Sequence, residues 1–183
     1  MKKSEFIKYY WNNYILIENK FLSTEKYISI EKDNSAAYSL EYLNLFLLLC
    51  NEYDAITSEL CNHFEGKAKQ RNVCEKTKIL MDNVKNFNNL KANIKDSYNE
   101  FQLVPFKKFS ENSSSEWWQS YNNIKHNRSG KDNNGKPNYY KANLKNVLFA
   151  LSAVYIISSK FYEVLEDDNG NRSLTSEIFL NVQ

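Results

Sequence analysis

At 183 residues, 42% hydrophobic and 15% aromatic, the chain has the length of one domain and enough apolar surface for a sizeable core, which excludes a disordered polyelectrolyte despite a mean hydropathy of −0.64. Its 24 basic and 22 acidic residues leave a net charge of only +2, so affinity for nucleic acid or membrane must come from a local patch. The three cysteines, Cys50, Cys61 and Cys74, are odd in number and show no C-x-x-C spacing; this excludes a disulfide framework and a zinc knuckle and points to a reduced, cytoplasmic setting without a metal or other cofactor.

Lysine outnumbers arginine 21 to 3 and there are 26 asparagines, a usage expected of an A-rich coding sequence in a low-GC bacterium or its phage. The first residues, Met1 to Lys8, start basic but contain no apolar stretch and no small-residue cleavage site, so no signal peptide is expected. The most apolar runs, 42–50 and 147–157, fall short of the roughly 20 residues of a membrane span and read as core helix.

In chain order, Phe6, Tyr10, Tyr14, Ile17, Phe21 and Ile28 recur at helical spacing and predict a first helix over residues 4–30. Asp33, Asn34 or Ser35 can cap the second, over 36–64, whose middle is apolar nearly all round through Leu40, Leu43, Leu45, Leu47 and Leu49. Glu52 and Asp54 interrupt its apolar lines, and a carboxylate there needs a cation unless the helix is already emerging into solvent. His63 reads as a surface histidine near the helix end, and residues 66–71 as a basic, solvated connector. Val73, Leu80, Val84, Phe87, Leu90, Ile94, Tyr98 and Phe101 predict a third long helix over 72–101, followed by an extended piece around Pro105. The last long helix is expected over 139–166, and residues 167–183 form a short tail that docks in a groove or pairs with a partner. The expected architecture is all-α: a single-domain antiparallel bundle of four long helices plus one short motif helix over 1–183.

That short helix carries the candidate site. Residues 117–128 gather two of three tryptophans, one of two histidines and one of three arginines. Ser113 and Glu116 have capping-box spacing and Gly130 is a stop, so Trp117, Tyr121 and Ile124 share one stripe while Trp118, Asn122 and His126 follow a neighbouring line. Lys125 and Arg128 flank the imidazole at the helix C-terminus, an arrangement that welcomes a phosphate. The plainer reading makes the tryptophans core anchors. The polar loop 129–138 follows directly and reads as a lid, a partner-recognition element or an ordinary surface loop.

Tyr121-Asn122-Asn123-Ile124-Lys125-His126 resembles the R-N-x-x-x-H signature of HEPN domains, with tyrosine in the arginine's place. The resemblance implies a small, often dimeric helical bundle that acts on or associates with RNA, either as a metal-independent ribonuclease of toxin or defence type or as a non-cleaving relative. It assigns the catalytic histidine to His126 and the polar position to Asn122, with Arg128 standing in for the arginine from the other side; Lys125, Tyr121 and Trp118 are the binding residues and Glu52 or Asp54 the supporting acid. The alternative reading is a non-enzymatic module, such as a phage-encoded inhibitor or an accessory subunit, that engages a protein partner through its tail and the 129–138 loop. No membrane partner is expected.

Overall fold

The computed structural model describes residues 1–67, 71–95, 98, 101–168 and 173–183. The protein is mostly helical, as its periodicity predicts. The first helix runs through α1 (Lys3–Phe6), a π-helical turn over Ile7–Trp11 and α2 (Asn12–Ser23). The π turn changes which aromatic enters the core. Its wider winding lets Phe6 and Trp11, five apart, both point inward, so Trp11 is buried where the regular pattern predicts Tyr10. The helix stops at Ser23, well before the predicted residue 30, and short 3-10 turns lead onward.

The central helix α3 (Leu40–Glu65) starts later than predicted because its cap is Ser39, whose hydroxyl accepts from the Tyr42 amide at 3.0 Å. It ends at Gly66, in the left-handed region with φ +78. Arg71, placed by its charge in a solvated connector, folds back here: its guanidinium donates to Asn62 Oδ1 at 2.8 Å and to the Gly66 carbonyl at 3.1 Å. Residues 68–70 of that connector, and 169–171 of the turn expected after the last helix, lie outside the described residues.

The third helix is the main correction. The capping box of Asn72 and Glu75 starts α4 (Val73–Asn83), but it runs only 11 residues. Val84 is extended and Asn86 is left-handed with φ 55, a conformation that asparagine tolerates better than most side chains. The chain then forms a 3-10 turn (Phe87–Asn89) and strand β1 (Ala92–Ile94). β1 pairs antiparallel with β2 (Phe179–Val182), Ala92 opposite Val182 and Asn93 opposite Asn181, with an irregularity before Ile94 meets Phe179. The tail therefore docks on its own chain.

Asn138 to Lys141 form a 3-10 turn, so α6 (Leu144–Val164) begins at its cap Asn143 and not at residue 139. From Val147 to Ile157 every residue but Phe149 is buried, and α6 packs most extensively on α3. Length and composition alone would let α6 cross a bilayer, and two thirds of its apolar window is buried inside the protein.

Beneath α4 the Cys61 thiol donates to the Lys76 carbonyl at 3.7 Å, and burial pushes its pKa up to about 11. In the unfolded chain the thiol deprotonates near its ordinary 9.0, whereas the folded chain holds the proton to about 11. This contribution to stability is complete below pH 9 and is lost as pH rises towards 11, by at most about 1.4 kcal/mol per pH unit. Urea titrations should show the unfolding free energy falling more steeply over that window in the wild type than in Cys61→Ala; equal slopes would contradict the burial effect.

Candidate nucleic-acid interface

Helix α5 (Glu116–Asn127) carries the motif and packs on α3 and α6. The predicted capping box does not form. Ser113 instead bonds to Ser110 Oγ at 2.8 Å and to the Lys108 carbonyl at 3.1 Å, while Glu116 pairs with Lys108. The residue before the helix is Ser115, whose hydroxyl donates to the Pro105 carbonyl at 2.7 Å; Trp117 Nε1 donates to the same oxygen at 2.8 Å. The extended piece at Pro105 is thus tied to the first turn of α5.

Trp117, Trp118, Tyr121 and Ile124 are all buried. Tyr53 of α3 stands at the centre, with Trp117 at 5.3 Å and Trp118 at 5.4 Å, and Tyr121 meets Phe46 edge-on at 6.5 Å. The tryptophans are core anchors, as the plainer reading holds, and the expectation that Trp118 and Tyr121 meet a ligand is corrected. The position that carries arginine in the HEPN signature holds a phenol packed inward, its pKa raised by burial.

The other face points outward. Asn122 is half-buried, and Lys125, His126 and Arg128 are exposed. Lys125 Nζ sits 5.5 Å from the Tyr121 ring centre. Among the described residues, no hydrogen bond or ion pair engages the His126 or Arg128 side chain. The expected acid partner is not there: Asp54 accepts from Lys76 Nζ at 2.7 Å, and Glu52 lies where its charge helps raise the Tyr10 hydroxyl pKa, after burial and Glu59. Lys76, drawn inward by the start of α4 and only 4% exposed, takes the carboxylate that the motif was expected to use.

The loop 129–138 is an ordered arch. The Asn138 amide donates to the Gly130 carbonyl at 2.7 Å, and the Asp132 carboxylate accepts the Asn134 and Lys136 amides, each at 2.9 Å. Those bonds, that from Lys136 first, hold the Asp132 carboxyl below its usual range. The arch also closes the end of α5, because Asn138 Nδ2 donates to the Asn127 carbonyl at 2.8 Å and the Tyr139 amide to the Arg128 carbonyl at 3.1 Å.

That closure brings up an aromatic group that sequence reasoning missed. Tyr38 and Tyr140 stack at 4.1 Å while 42% and 37% exposed, and Tyr139 meets Tyr38 edge-on at 5.6 Å. The signal was the pair Tyr139-Tyr140, which the expected last helix absorbed. Exposed rings beside a basic helix end are what unstacked bases pack on. Among the described residues no cluster of His, Cys, Asp or Glu could hold a metal ion. Compared with protein-family models, curated proteins and solved structures, the chain matches none.

Proposed function

We propose that the protein is an HEPN-like, RNA-associated module that holds single-stranded RNA at the basic end of α5 without cutting it. The observation that carries this reading is the outward-facing set Lys125, His126 and Arg128, without a carboxylate partner among the described residues, beside the exposed Tyr38 and Tyr140 rings. Cations without acids attract phosphates, and the rings stack bases whatever their sequence. Cleavage needs more than a histidine. A general base has to be oriented, and the developing charge on phosphorus needs a cation at a set position. Tyr121 occupies that position in the core, and among the described residues no side chain bonds to the imidazole. The tail pairs with β1 and the arch is held by its own hydrogen bonds, which favours the RNA reading over one built on those two elements.

The test is incubation of the pure protein with labelled single-stranded RNA in EDTA, with anisotropy for binding and gels for cleavage. Binding without new fragments is expected. Arg128→Ala should weaken binding roughly fivefold to tenfold while leaving the melting temperature within a degree or two, because an exposed, unpaired side chain contributes little to stability. Fragments that vanish in His126→Ala would restore the catalytic reading, and absence of binding would remove both.

A further inference from the structure

The chain segment 101–105 lies along three depressions that adjoin one another. The first, about 110 Å³, is bordered by Pro105, Lys108, Glu116, Lys145 and Phe149. The second, about 530 Å³, shares Lys145 and Phe149 with the first and adds Lys32, Ser35 and Phe101. The third, about 360 Å³, shares Phe101, Gln102 and Leu103 with the second and reaches Lys91.

Charge decides what such a groove accepts. Among the described residues its walls carry Lys91, Lys108 and Lys145 against the acid Glu116, which Lys108 pairs with and holds below its usual pKa, Lys145 adding to the effect. The first depression has room for roughly four waters, which suits a phosphate between two ammonium groups and not a nucleotide. The two larger ones are in the size range of ligand sites and are bordered by the half-buried rings of Phe149 and Phe101. Alternating cations and flat apolar faces along a strip suit a single-stranded nucleic acid better than an acidic peptide, which has charge but no bases to stack. The groove also adjoins the tyrosines. Ser35 borders it three residues before Tyr38, and the Lys145 and Leu144 amides donate to the Ser35 and Ala37 carbonyls at 3.1 and 2.9 Å.

We infer that the groove along residues 101–105 is a second binding surface for single-stranded RNA, continuing the strand away from the tyrosine platform, with Lys108 and Lys145 gripping a phosphate and Phe149 and Phe101 stacking bases. This rests on the proposed function and adds the path of the strand.

The experiment is a salt titration of binding to a labelled, unstructured RNA of about 12 nucleotides, read by anisotropy, with folding checked by circular dichroism. The double variant Lys108→Gln/Lys145→Gln should lose roughly tenfold or more in affinity at low salt and flatten the slope of log K against log salt by about 0.7, the value for one neutralised phosphate of a single strand. Glu116→Gln should act in the opposite direction, tightening binding about threefold by removing an acid beside the two lysines. Phe149→Leu should weaken binding several-fold without changing the slope. Lys20→Gln, whose ion pair with Glu41 lies between α2 and α3, should change nothing. Unchanged affinity and slope in the folded double variant overturn the groove. So does competition by polyglutamate as strong as by RNA, combined with indifference to Phe149→Leu, which would assign the surface to an acidic protein. If Arg128→Ala loses binding while the groove variants keep it, the groove falls and the proposed function stands; the reverse pattern keeps the groove and removes the basic end of α5.

Discussion

Trp117→Ala is expected to lower the unfolding free energy by about 3 to 5 kcal/mol, the range for deleting a buried large aromatic. The side chain is 2% exposed and meets Tyr53, Phe109 and Trp118 at ring distances of 5.3, 5.9 and 5.6 Å, so its removal leaves a hole that three rigid rings cannot close. It also removes one of the two donors to the Pro105 carbonyl, loosening the segment that borders the groove. Trp117→Phe keeps most of the packing and loses mainly that hydrogen bond, a cost of about 1 kcal/mol. Urea denaturation followed by circular dichroism separates the two variants. Near wild-type stability in Trp117→Ala would mean that the motif helix is not anchored in the core.

Glu18→Ala is expected to cost about as much by a different route. The carboxylate is fully buried and serves three donors: Tyr14 Oη at 2.8 Å, the Glu177 amide at 2.8 Å and the Ser176 hydroxyl. Ser176 in turn accepts the Ile178 and Phe179 amides at 3.1 and 2.8 Å, so one side chain of α2 organises the turn that launches β2. Alanine leaves these donors without an acceptor, at about 1 to 3 kcal/mol for each that water cannot reach. The loss should be visible in a particular place. Amide exchange in Ile178 to Val182 and in Ala92 to Ile94 should accelerate together, because the two strands hold each other. Uniform acceleration across all helices, with the strands still relatively protected, would make Glu18 an ordinary core residue.

The helical architecture was legible because the decisive residues repeat locally. Leu43, Phe46, Leu49 and Cys50 mark the buried side of α3, and Val147, Leu151 and Val154 that of α6, without reference to any other part of the chain. What failed was what depends on distant partners. β1 is three residues long, and its pairing comes chiefly from β2, 88 residues away at Asn93 and Asn181, so its sequence reads as a continuation of α4. The periodicity of Val84, Phe87 and Leu90 was real, since all three are buried, but the left-handed Asn86 breaks the helix among them. At the site, exposure of His126 and Arg128 follows from their places on α5, whereas the partner of Asp54 could not be read from helix spacing because Lys76 sits on another element. Tyr121 was read through a motif, and the packing around Phe46 decided its role.

The extensive contact between α3 and α6 has a consequence for how the protein is made. Residue Glu65 ends α3 roughly 80 positions before Leu144 begins its main partner, so at about 5 to 20 residues per second the ribosome delivers α6 some 4 to 16 seconds after α3 is complete. During that interval α3, with Leu45, Leu49, Ile56 and Leu60, has α2, then α4 and last α5 to pack on, but not its main partner. The nascent chain therefore shows this apolar face over that window, and slowing translation between residues 66 and 143 should lengthen the period in which it can aggregate.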